Sequence, residues 1–227
     1  MAHSMEKMFG GRQLTALIVC CAIIVSGCAQ YKRPTLMIKV PEFYPSRTKI
    51  SQLAIVADPY FETSKMEYLF NSNLLDEGFL AIHFIAFNYG VETYDLSKAR
   101  FVLVRDDGLE FVPAEPKLVA KKVLKHTSLR MIGWGFAGLI ILSIPFSMAA
   151  GIDSFRANKS TRKMVAQETL TVFKIEGKEE VDGFYFFQIG RRSKEIRQAL
   201  THKYRLRIEG FRDVQTEKQF EFIIGLN

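Results

Sequence analysis

Beyond position 28 the chain has no cysteine. Cys20, Cys21 and Cys28 all fall in the first 28 of 227 residues, so nothing after them offers a disulfide, a thiolate metal ligand or a cysteine nucleophile. Histidine is sparse as well. His83, His126 and His202 stand singly with no His-x-x-x-His pair, so a metal site would have to be assembled from remote parts. The Gly-x-Ser-x-Gly elbow of hydrolases is missing. No self-similarity at the period of a solenoid or propeller is present. Acidic residues nearly vanish between Lys117 and Lys163, where nine Lys and Arg face Asp153 alone, a local charge of +8 in a chain whose formal net charge is +7. With 48% hydrophobic residues the chain is too apolar for disorder, and its length fits one domain or two small ones.

What is present begins with an address. Lys7 and Arg12 precede an apolar run from Leu14 to Val25, followed by Ser26, Gly27 and Cys28. This is the layout of a secretory signal peptide, because a run of 12 apolar residues is short for a bilayer. Met1, Met5 and Met8 could each start it. Val25-Ser26-Gly27-Cys28 resembles the lipobox of bacterial lipoproteins. The resemblance implies removal of residues 1–27, a lipid on Cys28 and a mature charge of +6. Ala29 stands where an Asp often marks inner-membrane retention, so the resemblance favours the outer membrane.

Residues 28–49, with Pro34, Pro41 and Pro45, read as an extended tether. Strands are expected at Leu53–Ala57, Phe79–Phe87, Phe101–Arg105 and Leu109–Val112, then at Thr169–Ile175, Phe184–Ile189, Tyr204–Ile208 and Phe220–Ile224. Phe79–Phe87 is apolar at both alternating sets, which predicts a central strand covered on both faces. Thr63–Glu77 reads as a helix with Ser64 as N-cap and Gly78 just past its end. Asp106-Asp107-Gly108 marks a hairpin. The expected fold is mainly β: an antiparallel immunoglobulin-like β-sandwich with a short N-terminal helix and an inserted apolar helical hairpin. Its two halves are 50–116 and 164–227.

The insertion, 117–163, holds 22 uncharged residues from Met131 to Ile152, about 33 Å long as one helix at ~1.5 Å per residue. A single crossing would separate the two halves of the sandwich, so a unit broken near Ser143 and Pro145 that returns to the same side is expected. Its basic flanks point to anionic lipid, with Lys121, Lys122, Lys125, Arg130, Trp134 and Phe136 as the membrane-contact set. Burial of Met131–Ile152, or self-association through it, is the alternative. The order of a short helix, an apolar strand ending in Asn, a strand closed by Asp-Asp-Gly, a glycine-rich apolar insertion and a Gly-Phe-Tyr-Phe strand resembles a group of uncharacterised bacterial envelope lipoproteins. That resemblance implies location and fold and supplies no catalytic residue.

Three motif matches fail on context. Gly133-Trp134-Gly135-Phe136-Ala137-Gly138, with Asp153 following, spells a dinucleotide fingerprint, but no strand leads into it. Ser46-x-x-Lys49 and Ser160-x-x-Lys163 lack the partner motifs of penicillin-binding enzymes. Arg191-Arg192 reads as a solvated turn, and export makes nucleic acid an unsuited partner. The expectation is therefore a membrane-anchored envelope lipoprotein acting as a non-enzymatic structural or protein-interaction module, with no cofactor or metal. A binding module for an envelope lipid or glycan is the alternative, and a hydrolase with a site assembled in the fold the second. The expected partners are the membrane, through acylated Cys28, and an envelope protein.

Overall fold

The computed structural model describes residues 36–70, 72–123, 165, 169–170 and 174–226. In chain order these form a 3-10 turn (Pro41–Phe43), β1 (Arg47–Ile50), β2 (Leu53–Pro59), α1 (Thr63–Phe70), β3 (Phe79–Asn88), β4 (Tyr94–Asp95), β5 (Arg100–Arg105) and β6 (Glu110–Phe111). There follow α2 (Pro116–Val123), β7 (Lys174–Ile175), β8 (Glu180–Gln188), α3 (Ser193–Ala199), β9 (Tyr204–Asp213) and β10 (Gln219–Leu226). The chain is mainly β, with two antiparallel sheets and three short helices among the described residues.

The first sheet runs β1-β2-β3-β8. All ten residues of β3 are buried, as its two apolar faces require: Leu80, Ile82, Phe84 and Ala86 point to one side, Phe79, Ala81, Ile85 and Phe87 to the other. The second sheet centres on β9, with β10 along one edge and β5 and β4 along the other. Between β4 and β5 the residues Leu96–Ala99 leave the ladder opposite Gly210. That glycine has φ +74°, and a Cβ there would lie 2.8 Å from the carbonyl oxygen of Lys98. The two sheets meet through aromatic rings: Phe84 stands edge-on to Phe101 at 5.3 Å, and Phe101 stacks on Tyr185 at 4.1 Å.

Residues before and after the insertion build one core. β3 pairs with β2 on one side and with β8 on the other; β5 and β4 pair with β9. Val119 on α2, inside the expected insertion 117–163, and Val165 just beyond it are both fully buried in that core, so the domain extends past the expected boundary at 116. The inserted helical hairpin falls outside the described residues. Among the described residues no helix is long and apolar enough to cross a membrane.

Several elements differ from expectation. Residues 36–49 do not stand clear of the domain: Leu36 and Ile38 pack on the core, Pro41 and Tyr44 are buried, and β1 joins the sheet. Proline content marks a rigid segment but does not say whether that segment is docked. α1 ends at Phe70, not at Glu77, and Ser64 lies inside it; the N–H of Met66 donates to the Glu62 carbonyl at 3.2 Å. A separate coil capped by the Asn73 side chain on the N–H of Leu75 then ends at Gly78, whose φ is +82°. Arg191-Arg192 form an exposed turn, as read, but it leads into α3, which was not expected, with Glu195 accepting the N–H of Arg191 at 2.9 Å. Of the expected strand Thr169–Ile175, Lys174–Ile175 pairs as a strand and Thr169 makes an isolated bridge to Phe184, while 171–173 lie outside the described residues. The Asp106-Asp107-Gly108 turn forms as read, with the N–H of Gly108 on the Arg105 carbonyl at 2.9 Å.

Candidate functional site

The side of the first sheet that faces away from the second carries a cluster of ionisable groups, His83, Asp58, Lys65, Glu180 and Asp182. α1 covers one part of it, because Met66, Leu69 and Phe70 share a helical face and Phe70 meets Phe184 and Phe186 edge-on at 5.2 and 5.6 Å. The 3-10 turn covers another, with Tyr44 over Ala54, Val56, Ile85 and Phe87. Between these covers lies His83, 3% exposed.

Register brings the group together. Asp58 on β2 is opposite His83 on β3, and His83 is opposite Phe184 on β8; Asp182 sits two residues earlier on β8 and therefore on the same face. Nε2 of His83 lies 2.7 Å from Oδ2 of Asp182, which accepts from the ring. Lys65 reaches down from α1 to donate to both oxygens of Asp58 at 2.8 and 2.7 Å, with its ammonium 4.2 Å from the centroid of Tyr60. Tyr44 completes the seam: its hydroxyl oxygen accepts the N–H of Lys39 at 3.1 Å. Burial raises the Tyr44 phenol above its ordinary range, and the charges of Asp58, Glu180 and Asp182 push it further. Desolvation beside the sheet, with Asp182 next, also raises the Glu180 carboxyl.

In this seam Lys65–Asp58 ties α1 to β2, the His83–Asp182 hydrogen bond ties β3 to β8, and Tyr44 packs the end of the 3-10 turn onto the sheet. Among the described residues the His83 side chain hydrogen-bonds to Asp182. No three His, Cys, Asp or Glu side chains converge to hold a metal ion among the described residues.

A second feature is a cleft of 320 Å³ between the Leu96–Ala99 excursion, the crossing at Val112–Pro113 and Leu170. Phe101 and Tyr185 form part of its wall, and Arg100 stands at it. Burial alone raises the Tyr185 phenol far above its ordinary value, so the hydroxyl is a neutral donor there.

The third feature is an apolar rim. Met37, Val40 and Phe43 are 85%, 54% and 74% exposed, and Tyr89 is 48% exposed. Lys49 lies over the Tyr89 ring at 5.8 Å from its centroid.

Of the membrane-contact set, Lys121 is exposed on α2, and Lys122 places its ammonium 4.9 Å from the centroid of Phe79. Cys28, Lys125, Arg130, Trp134 and Phe136 lie outside the described residues. The His83–Asp182 pair was not legible, since 99 residues separate its members. The one local sign was a histidine within an otherwise apolar strand. Comparison with protein-family models, curated proteins and solved structures finds no match.

Proposed function

We propose that the chain is an acylated protein of the bacterial cell envelope, fixed through Cys28 and sorted to the outer membrane, whose domain is an immunoglobulin-like β-sandwich. In this reading it presents a surface to another envelope component and performs no reaction. Its resemblance to uncharacterised envelope lipoproteins supplies the starting point. One structural observation carries it: packing on the core begins at Leu36, soon after the lipobox. Leu36 already packs on the core, so from Cys28 to the body the chain spans at most about 29 Å, at ~3.6 Å per residue. A domain tied so closely to two or three acyl chains is a membrane-proximal module.

The insertion adds a second contact in this reading, through Lys121, Lys122, Lys125, Arg130, Trp134 and Phe136, while Met131–Ile152 remains the candidate for self-association. The test is the mass of the mature N-terminus with envelope fractionation. An acylated Cys28 in the outer-membrane fraction, lost in Cys28→Ser, is expected; a mature chain starting elsewhere overturns the reading. Cross-linking in intact cells would then identify the partner.

The cleft lined by Phe101 and Tyr185 supports a second reading, a binding module for an envelope lipid or glycan. Under it a bound ligand raises the melting temperature, and Tyr185→Phe reduces that rise.

A further inference from the structure

The segment Met37–Tyr44 alternates between the core and the outside in a way its bonding enforces. Pro41 and Tyr44 are buried, and Ile38 packs on the cluster formed by Tyr44, Ala54, Val56, Ile85 and Phe87. Those inward positions are filled, so Met37, Val40 and Phe43 have only the outward side. Arg47 holds the arrangement by donating to the carbonyls of Glu42 and Tyr44 at 2.6 and 2.7 Å. Tyr89 extends the same rim: it stacks on Phe87 at 6.2 Å, lies under Lys49 and feels the charge of Glu42. Single exposed apolar residues are ordinary on any protein, but three of them at every third position of one short segment, with Tyr89 near it beside Glu42 and Lys49, are not scattered exposure.

We infer that this rim is a membrane-lying surface: Met37, Val40, Phe43 and Tyr89 enter the headgroup boundary of an anionic bilayer while Lys39 and Lys49 meet its phosphates. The inference rests on the acylation reading, which sets a bilayer within about 30 Å of Met37, nine residues after Cys28. Three physical features fit lipid better than a protein groove. Phe and Tyr are suited to the polar–apolar boundary. Lys39 and Lys49 are exposed and near apolar side chains, where a long stem can lie along the acyl region with its ammonium at phosphate. The two acids whose charges reach Tyr89, Glu42 and Glu180, are exposed and free to stay in water. The contact would fix which side of the first sheet faces the lipid, which an acyl anchor alone leaves undefined.

The experiment places tryptophan at Phe43 (Phe43→Trp) in a Trp134→Phe background, so that one indole reports. Full-length protein is bound to vesicles of phosphatidylethanolamine and phosphatidylglycerol at 3:1, a composition on the order of a bacterial leaflet, with and without brominated acyl chains. Emission should move to shorter wavelength and lose intensity with brominated lipid. An Ile223→Trp probe on β10, on the second sheet, should do neither. In the Cys28→Ser form, which has no anchor, Lys39→Glu with Lys49→Glu should weaken vesicle binding by about tenfold or more. Mass spectrometry reads acylation separately. If the chain is unacylated but the position-43 probe still shifts and is quenched, the rim stands and the anchor reading falls. An unshifted, unquenched probe on vesicle-bound protein overturns the rim whatever the mass. A probe already shielded without vesicles, in protein of doubled mass or cross-linked from position 43 to another protein, overturns it in favour of a protein partner.

Discussion

The imidazole of His83 lies flat on the ring of Phe184, with centroids 4.5 Å apart and planes 8° from parallel. Both residues are buried, and they are paired across β3 and β8. The stack therefore joins strands from the two halves of the chain, and the bond to Asp182 fixes the ring within it.

His83→Ala removes that stack and leaves Asp182 without its donor. A loss of about 2–4 kcal/mol is expected from chemical denaturation, in the range of large-to-small core changes combined with a lost hydrogen bond. Asp182→Asn retains an acceptor and should cost less than about 1.5 kcal/mol. Equal losses for the two variants would show that the pair contributes more than the stack.

Acid stability has an identifiable source in Asp95. Its carboxylate accepts from Ser97, including the backbone N–H at 2.8 Å, and from Arg212 at 2.9 Å, and its pKa is lowered to about 2. Because the folded value lies below the ordinary one near 3.8, the contribution is complete above that value and is lost as pH falls towards 2. Stability measured between pH 5 and 2 should fall more steeply in the native chain than in Asp95→Asn; parallel curves would assign the acid loss to other carboxylates.

Gly78 cannot carry a side chain. Its φ is +82°, and a Cβ would collide with the backbone carbonyl of Gly190. Gly78→Ala should cost more than about 1 kcal/mol, the usual penalty for a non-glycine residue at positive φ, with the collision added. Gly108→Ala is the control. Its φ is +88° but its surroundings are open, so its melting temperature should fall less.

Cutting the chain at the insertion gives two pieces that each leave strands unpaired. Either piece alone, 33–125 or 160–227, should aggregate, and mixing them should restore cooperative unfolding. Replacing 126–159 by a flexible Gly/Ser linker should leave the melting temperature nearly unchanged. A soluble, cooperatively folded 160–227 piece would show that β3 is dispensable to β8.

Legibility in the sequence followed distance along the chain. β3 was readable because burial on two faces writes an uninterrupted apolar run, and the β5–β6 turn because Asp-Asp-Gly is local chemistry. β4 was not, since two residues hold no period and its pairing depends on β7 and β9 far downstream. β1 was hidden by its neighbours: Arg47, Thr48 and Lys49 look like a solvated tether until the register with β2 is known. Arg192–Arg197 is dominated by charge, yet Ile196 and Ala199 give α3 a buried side. The seam around His83 draws on four elements and the 3-10 turn, and sequence shows only their separate residues.

The pairing of β3 also sets a timetable. Phe87 meets Glu180 and Phe79 meets Gln188, partners 93 and 109 residues further along. β3, an almost wholly apolar strand, therefore cannot find its second neighbour until the intervening stretch and β8 have reached the same compartment. Throughout that interval one long edge and much of two greasy faces are open to any other chain nearby. An unfolded chain should therefore aggregate more readily than one whose strands pair with near neighbours in sequence.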